Sequence, residues 1–315
     1  MRLFLILLLT VDAGAWLWTI GRARRGRSLA PIGEFAALHV LLLAAALALV
    51  PLFWMLTTSM KPPEEAGQFP PTFLPAALAQ GAVGELLAQT ARNYAAAWTA
   101  PPGPMTFARY FWVSILTAAG TTVGVLATSI PAAYALARLK FRGRGVAFAL
   151  LLGVLMVPSQ ALLIPNYLTL ERLGWLDGYP ALIAPFLASA FGIFLLRQFF
   201  LTFPSELWEA AQLDGAGHGV FLWRIMTPLA SPALATVAIL TFLAQWDALM
   251  WPLIVTTRPQ MRTLMVGLQS FSQEAVGEPQ QLMAAAAFSM APVLLAFFLL
   301  GRFFVQSVAR TGLRG

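Results

Sequence analysis

Very few side chains in this sequence are of a kind that could do covalent chemistry or bind a metal ion. The chain holds no cysteine, which excludes disulfides, zinc thiolates and a cysteine nucleophile. Its two histidines, His39 and His218, are isolated and form no metal-ligand pair. We expect each histidine to be packed or solvated rather than catalytic.

The familiar catalytic sets are missing as well. The apolar stretches hold little that ionises beyond Asp247 and Arg197, and the sequence has no Ser–His–Asp set, no HExxH pattern and no paired carboxylates within them. Only two lysines exist, Lys61 and Lys140, and neither follows the glycine spacing of an ATP-binding Walker A loop. The sequence therefore predicts that the chain is not an enzyme, and that energy for any work must come from outside it.

One polar stretch stands out between the apolar runs: "EAAQLDG", residues 209 to 215. Ser205 is placed to cap a short helix there, and a glutamate in the first turn favours the positive end of the helix dipole. Leu207, Ala210, Ala211 and Asp214 follow helical spacing on one side, and the two alanines would let another surface approach the backbone closely. Gly215 can take the left-handed conformation that ends a helix.

A second short helix is predicted directly after this one. Gly217 and Gly219 permit a turn before Val220–Met226, and Pro228 is expected to stop the helix. Trp208, Phe221 and Trp223 are the aromatic side chains that this hairpin has to bury. Its residues fit equally an element that docks a partner and an amphipathic hairpin that lies on a membrane surface.

The composition indicates the surroundings of this hairpin. Residues are 59% hydrophobic and 10% charged, and the mean hydropathy is +0.75, whereas soluble domains have about 25% charged residues. A bilayer accounts for the difference, because a spanning helix needs about 20 apolar residues. Six runs are long enough to span, and they cover approximately residues 35–57, 111–136, 146–168, 180–200, 233–255 and 284–305.

The basic residues predict the orientation of these spans. They form short clusters between the runs, as in "RARRGR" from Arg22 and "RLKFRGR" from Arg138, rather than one patch or stripe. This pattern argues against nucleic acid as a partner and for clusters on the cytoplasmic side of a membrane. Alternation of the spans then places residues 201–232, with the hairpin, and the C-terminus in the cytoplasm.

The remaining segments lie outside these spans. Residues 1–30 hold a shorter hydrophobic run and a basic loop, which we interpret as an additional N-terminal helix; an in-plane helix and a segment absent from the mature chain stay open. Residues 31–315 are predicted to form one transmembrane domain. Residues 59–108 form a long extracytoplasmic loop that is too polar and too rich in proline to span.

Two proline-interrupted stretches could line a route across the membrane, because polar groups at membrane depth mark substrate pathways. Amides, carboxylates and aromatic faces suit a sugar. Trp246 and Trp251 could instead belong to the aromatic belt at the membrane–water interface, and Asp247 could pair with a neighbouring subunit. The candidate path residues are Gln160, Asn166, Gln245, Trp246, Asp247 and Trp251.

Several stretches resemble the maltose-type permeases of binding-protein-dependent ABC importers. The spacing of the hairpin residues is similar to their EAA signature, although Thr227 stands where that pattern has a leucine. The family usually has Asn-Asp after the tryptophan at 246, whereas this chain has Asp247-Ala248. The stretches occur in the same order, from about residue 38 to the C-terminus: "PLFWMLTTSMKPPEE", "AAYALARLKFRGRG", "ASAFGIFLLRQFF", "EAAQLDGAG" and "WPLIVTT…TLMVGLQSF".

The resemblance implies a fold and a set of partners. The fold would be all-α and integral to the membrane, with the six-helix core of a type I ABC importer permease plus the additional N-terminal helix. The partners would be a second, homologous permease subunit, a dimer of ATP-binding subunits, an extracytoplasmic solute-binding protein and the lipid bilayer. The chain itself would hold no cofactor, since ATP and magnesium would bind to the ATPase subunits. The resemblance also implies which residues couple the permease to the ATPase subunits: Glu209, Ala210, Ala211, Asp214, Gly215, Ile225 and Pro228.

The predicted function is therefore one permease subunit of an ATP-driven importer in the cell (plasma or inner) membrane, carrying a sugar or oligosaccharide. A permease for another solute such as glycerol phosphate is the first alternative, and the lack of central Arg or Lys in the spans favours a neutral sugar. A self-sufficient channel or secondary transporter is the second alternative, and it would leave the hairpin unexplained.

Overall fold

The computed structural model describes residues 30–99, 105–274 and 278–312. The chain divides into two compact units, Met1–Thr58 and Ser59–Gly315. The additional N-terminal helix predicted within residues 1–30 lies outside the described residues. Most described residues are helical, because apolar runs of this length satisfy every backbone hydrogen bond internally as helices.

Fifteen helical segments, counting adjoining helical turns as one segment, and one separate 3-10 turn, Pro259–Met261, follow one another along the described part of the chain. The first four are α1 Ala30–Ser59, α2 Pro63–Ala66, α3 Ala76–Ala79 and α4 Val83–Thr99. The middle ones are α5 Phe107–Arg138, α6 Arg144–Leu155, α7 Ser159–Arg172, α8 Tyr179–Phe186 and α9 Ala190–Leu201. The remaining ones are α10 Glu206–Leu213, α11 His218–Leu229, α12 Ser231–Trp246, α13 Met250–Val255, α14 Leu264–Glu274 and α15 Pro279–Gly312.

Three of these helices, α1, α5 and α15, are long and apolar enough to cross a membrane by themselves. Three further pairs qualify only if each bent pair counts as one span: α6 with α7, α8 with α9, and α11 with α12. Their bends are 94°, 42° and 77° respectively. Up to six spans in the described residues agree with the six-helix core that the sequence predicts.

Breaks between helices correct three of the predicted spans. Residues 146–168 are not one helix, because α6 ends at Leu155 and α7 starts at Ser159, directly after Pro158. Residues 180–200 are interrupted as well, because α8 ends at Phe186 and α9 begins at Ala190. Residues 233–255 are not one helix either, because α12 ends at Trp246 and α13 begins at Met250. A proline lacks the N–H that the helix needs, which accounts for the first break.

The segment 59–108 also holds more structure than expected of a loop. It contains α4, whose Asn93 side chain is buried and donates to the carbonyl oxygens of Ser59 and Lys61, both at 2.8 Å. The Lys61 ammonium is buried too and donates to the carbonyl of Thr72. Burial lowers the pKa of Lys61, while the nearby Glu65 opposes that shift. The segment is therefore folded by buried polar contacts rather than by an apolar core alone.

Helix α5 lies at the centre of the second unit. It packs most extensively on α9 and α12 and also contacts α4, α8 and α14. Small side chains allow this, since a methyl group on Gly120 would lie 3.1 Å from Ile183 of α8, and one on Gly124 would overlap the Leu187 side chain. Small residues bring helix backbones together where no water is available to drive packing.

Gly267 of α14 provides a test of this packing. A methyl group there would lie 2.7 Å from Cγ of Tyr110, a buried ring on α5 that has little room to move. We expect Gly267→Ala to destabilise the chain by about 1–3 kcal/mol, the usual cost of overpacking. The measurement is the apparent unfolding temperature of the detergent-solubilised protein.

Gly153 supplies the matched control, because it lies in α6 and a methyl group added to it would meet no atom within 4 Å. Gly153→Ala should be neutral or stabilising, by up to about 1 kcal/mol, through higher helix propensity. Equal unfolding temperatures for the two variants would contradict the close approach of α14 to α5.

Candidate functional site

The polar stretch 209–215 lies in a helical hairpin formed by α10 and α11. The hairpin begins without the predicted side-chain cap, because Ser205 itself has helical backbone angles and its hydroxyl makes no capping bond. The Ser205 carbonyl instead accepts from the N–H groups of Trp208 and Glu209, at 2.9 and 3.1 Å. The prediction of a serine cap was wrong, since the helical turn starts one residue earlier than the spacing suggested.

The end of α10 is as the sequence predicts. Gly215 has a φ of 77°, the left-handed conformation that only glycine adopts without strain. The N–H of Ala216 donates to the Ala211 carbonyl at 2.8 Å, and the N–H of Gly215 donates to the Gln212 carbonyl at 3.0 Å. These two bonds form a Schellman motif, which closes the helix and turns the chain towards α11.

The two alanines of α10 have different surroundings. Ala211 is buried in a cluster of apolar side chains from α5, α9, α11 and α12, so it brings α10 close to the rest of its own chain. Ala210 is exposed, as are Glu209 and Asp214. Leu213 is 90% exposed. The surface of the hairpin therefore exposes a small side chain, two carboxylates and an apolar leucine side chain.

Aromatic rings hold the two arms of the hairpin together. The ring of Trp208 stacks on His218 with centroids 4.3 Å apart and 7° between the planes, and it meets Phe221 edge-on at 5.0 Å. Phe221 is 1% exposed, whereas Trp223, which the sequence also expected to be buried, is 53% exposed. The Tyr134 hydroxyl of α5 is hydrogen-bonded to Nδ1 of His218 at 2.6 Å.

Helix α11 does not stop where the sequence suggested. Pro228 is exposed and lies in a last helical turn that runs to Leu229, and the chain bends by 77° only at Ala230. A π-helix occupies Phe221–Met226, where the Thr227 hydroxyl donates to the Leu222 carbonyl at 2.7 Å. The threonine that departs from the family pattern thus donates to a carbonyl in the preceding turn of its own helix. Ile225 is half-buried against the same apolar cluster as Ala211.

A depression of about 920 Å³ lies beside the stacked rings. Lys140, which follows α5, and Arg144, the first residue of α6, line it on one side, and Glu209 and Gln212 line it on the other. Arg138 also borders it but is held in place, because its guanidinium donates to the Phe200 carbonyl at 2.9 Å. The lining carries one carboxylate against three cations, so the depression is electropositive next to the exposed carboxylates of α10.

The six candidate path residues do not share one site. Gln160 is exposed and Asn166 half-buried, both on α7, while the exposed Asp247 follows the last residue of α12. Trp246 is 1% exposed and its Nε1 donates to the Ser289 carbonyl at 2.9 Å, so its ring packs inside the chain. Trp251 likewise donates to the Ala181 carbonyl at 2.9 Å. These two indoles therefore serve packing within this chain.

Gln245 is the one candidate that lines an uncharged depression of about 280 Å³ among α5, α8, α9 and α12. The break between α8 and α9 lies at this depression, and irregular backbone at membrane depth is tolerated where it lines a cavity or is buried in protein. The sequence reasoning missed its other polar residues, because single hydroxyls within apolar runs carry no pattern. They are Thr121, Ser189 and Thr241.

No set of three His, Asp or Glu side chains within residues 30–99, 105–274 and 278–312 could hold a metal ion. The arrangement as a whole offers hydrogen-bonding groups, an exposed hairpin and a packed helical core.

Comparison with known proteins identifies the family. A family model described as "Binding-protein-dependent transport system inner membrane component" matches residues 120–310, which is more than half of the chain. The permease protein UgpE of the sn-glycerol-3-phosphate transport system of Pectobacterium atrosepticum is 33% identical over 273 residues, which cover 86% of this chain and 94% of that protein. The arabinooligosaccharides transport system permease protein AraQ of Bacillus subtilis is 32% identical over 213 residues, covering 68% of this chain and 76% of that protein.

A solved structure supports the fold. A chain of a bacterial ABC transporter involved in the import of the acidic polysaccharide alginate superposes with a TM-score of 0.71, covering 87% of this chain and 96% of that chain. The two sequences are 24% identical. The similarity therefore concerns the fold, and it agrees with the predicted importer permease core.

Gly215 allows a test of the hairpin geometry. A β-branched residue at its φ of 77° is strained, so Gly215→Val should open the Schellman motif at a cost of about 1–3 kcal/mol. We expect faster amide hydrogen exchange at the end of α10 and easier proteolysis between α10 and α11.

Gly217 is the control two residues further on. Its backbone is extended, at φ −84° and ψ 172°, and an added side chain would meet no atom within 4 Å. Gly217→Val should leave the exchange of α10 unchanged. If the two variants exchange alike, Gly215 does not hold the end of α10.

Proposed function

Because the chain belongs to the family of inner membrane components of binding-protein-dependent transport systems, we propose that it is one permease subunit of an ATP-driven ABC importer for a sugar or oligosaccharide. Members of this family transport solutes with partner subunits and are not themselves catalytic. The observation that carries the finer proposal is the hairpin of α10 and α11, with exposed carboxylates and a 90% exposed leucine.

The hairpin would be the contact through which ATP hydrolysis drives transport. The basic clusters predict that it faces the cytoplasm, where ATP is available. An exposed leucine and small side chain allow close packing of a partner, and the carboxylates give that contact its charge pattern. In this proposal the residues in contact with the ATPase subunits, or shaping that contact, are Glu209, Ala210, Ala211, Asp214, Gly215, Ile225 and Pro228.

The remaining partners follow from the same proposal. A second, homologous permease subunit would complete the route across the membrane, two ATPase subunits would bind ATP and magnesium, and a binding protein would deliver the solute outside. This chain would itself hold no cofactor. Its exposed apolar side chains, such as Val123 and Leu150, would contact lipid or the second permease.

The uncharged depression favours a neutral solute over an anion. Its lining combines the Gln245 amide with hydroxyl side chains and the rings of Phe186 and Phe191, and it holds no charged side chain. A phosphate buried there would lack a paired cation, which is costly in an apolar surrounding. The name of the relative UgpE favours glycerol phosphate instead, and that of AraQ favours an oligosaccharide.

Reconstitution tests the choice of solute. The assembled complex in proteoliposomes, with its own binding protein, should accumulate a neutral oligosaccharide in an ATP-dependent manner and should be insensitive to sn-glycerol 3-phosphate. ATP-dependent uptake of sn-glycerol 3-phosphate with no uptake of neutral sugars would favour the alternative. Flux through this chain alone, without ATPase subunits, would overturn the importer proposal in favour of a channel or secondary transporter.

Glu209 tests the coupling contact. We expect Glu209→Lys to leave the complex assembled but to uncouple ATP hydrolysis from uptake, because the reversed charge opposes the contact at α10. Uptake and ATP hydrolysis are measured in the same proteoliposomes, and assembly by co-purification of the ATPase subunits.

Glu206→Lys is the matched control, since Glu206 is also exposed and also lies in the first turn of α10. It makes the same change of charge near the same helix end, so the helix dipole is affected alike. Normal uptake by Glu209→Lys would overturn the proposed role of α10.

A further inference from the structure

Hydrogen bonds and one ring stack connect α5 with the hairpin and with the end of α9. Tyr134 is hydrogen-bonded to His218 at 2.6 Å, and His218 stacks on Trp208 at 4.3 Å. Four residues after Tyr134, Arg138 donates to the Phe200 carbonyl at 2.9 Å. Residues i and i+4 lie on the same face of a helix, so one face of α5 holds both α11 and the C-terminal end of α9.

We propose that Tyr134, His218 and Trp208 form a rigid link that transmits displacement of the hairpin to α5, which makes them positioning residues for transport. This inference rests on the proposed function, in which the hairpin is displaced by the ATPase subunits. It assigns the path of that displacement within this chain, from Trp208 of α10 through His218 of α11 to Tyr134 of α5.

The geometry of the stack makes the link stiff. Stacked rings with 7° between their planes resist tilting of one ring without the other, and Phe221 holds Trp208 from the edge at 5.0 Å. Tyr134 also contacts His218 and Phe221 through its ring, at centroid distances of 5.9 and 6.4 Å. Tyr134 and Phe221 are buried, Trp208 is half-buried and His218 is exposed, so the link has one buried side and one side open to solvent.

Helix α5 is suited to carry the displacement onward. It runs without a break from Phe107 to Arg138, and its residues Thr121 and Val125 line the uncharged depression that includes Gln245. At a rise of 1.5 Å per residue, Thr121 lies about 20 Å along the helix axis from Tyr134. The same helix therefore borders the hairpin at one point and the proposed solute site at another.

A competing path exists through the chain itself. Helix α11 continues into α12 across the 77° bend at Ala230, so a displaced hairpin could pull α12 directly. That path does not use the Tyr134 hydroxyl. The two paths are therefore separated by changes confined to Tyr134 and His218.

Single-atom changes form the first test. Tyr134→Phe removes only the hydroxyl and keeps the ring in place. We expect uptake per ATP hydrolysed to fall about fivefold, the effect of one lost hydrogen bond, in complexes that still co-purify with the ATPase subunits. Tyr167→Phe is the control, because the Tyr167 hydroxyl makes no hydrogen bond within the described residues and should leave the ratio unchanged.

Trp208 and His218, the other two residues of the link, are tested by comparing substitutions that keep an aromatic ring with substitutions that remove a contact. Trp208→Phe keeps an aromatic ring for His218 and should retain most of the uptake per ATP hydrolysed. Trp208→Leu removes the ring and should lower the uptake per ATP hydrolysed. His218→Phe keeps a ring but loses the hydrogen bond, so adding Tyr134→Phe to it should cause little further loss. Additive losses, or a Tyr134→Phe ratio equal to that of the unaltered complex, would overturn the link.

Cross-linking distinguishes a rigid link from a packing contact. The chain has no cysteine, so Tyr134→Cys and His218→Cys can be joined selectively by a short bis-thiol reagent in a complex whose partner subunits carry no reactive thiols. The unlinked double variant should be uncoupled, and cross-linking should restore uptake per ATP hydrolysed. A cross-link that abolishes uptake would show that the hairpin must move against α5, and would overturn the inference.

These outcomes are distinct from failure of the proposed function. If Glu209→Lys uncouples the complex while Tyr134→Phe does not, the hairpin is the coupling contact and only the path through α5 is wrong. If Glu209→Lys transports normally, the hairpin is not the coupling contact, and the proposed function fails at that step irrespective of the variants at 134 and 218.

Discussion

The structure depends on how closely other helices can approach α5. Water cannot drive helices together within a bilayer, so their packing relies on van der Waals contact between small side chains and on internal hydrogen bonds. Gly120 and Gly124 let the segment around α8 come against α5, and Gly267 does the same for α14 through the ring of Tyr110. Helix α5 is therefore in contact with several neighbouring helices along its length.

The same constraint explains where the irregular backbone lies. The break between α8 and α9 exposes backbone groups that a lipid tail could not satisfy, and the structure packs it against α5. Ser189 caps α9 by accepting from the N–H of Gly192, and the Thr128 hydroxyl donates to the Leu187 carbonyl at 2.6 Å. Side chains therefore replace the missing helical bonds, while an uncharged depression remains beside Gln245.

The apolar runs predicted the helical class, which allows up to six spans in the described residues, and the position of Gly215 predicted the end of α10, because these depend on local properties of the chain. The bend angles did not follow from the sequence. Pro158 signals a break but fixes no angle, and no proline lies at 247–249, where α12 separates from α13. The bond between Tyr134 and His218 joins residues 84 positions apart, so no local pattern announced it. His218 was for that reason indistinguishable in sequence from a solvated histidine.

The proposed contact with the ATPase subunits and the proposed solute site are separate, because their polar groups lie in different parts of the chain. The carboxylates of the hairpin and the cations near them lie at one end of α5. The depression beside Gln245 lies farther along that helix and is uncharged. Relatives whose names refer to different solutes, a glycerol phosphate and arabinooligosaccharides, are similarly close to this chain, at 33% and 32% identity. A solute site that is separate from the driven hairpin can change its lining without altering the contact that supplies energy. Two elements border both regions: α5, which is held at Tyr134 and Arg138, and α12, into which the hairpin continues.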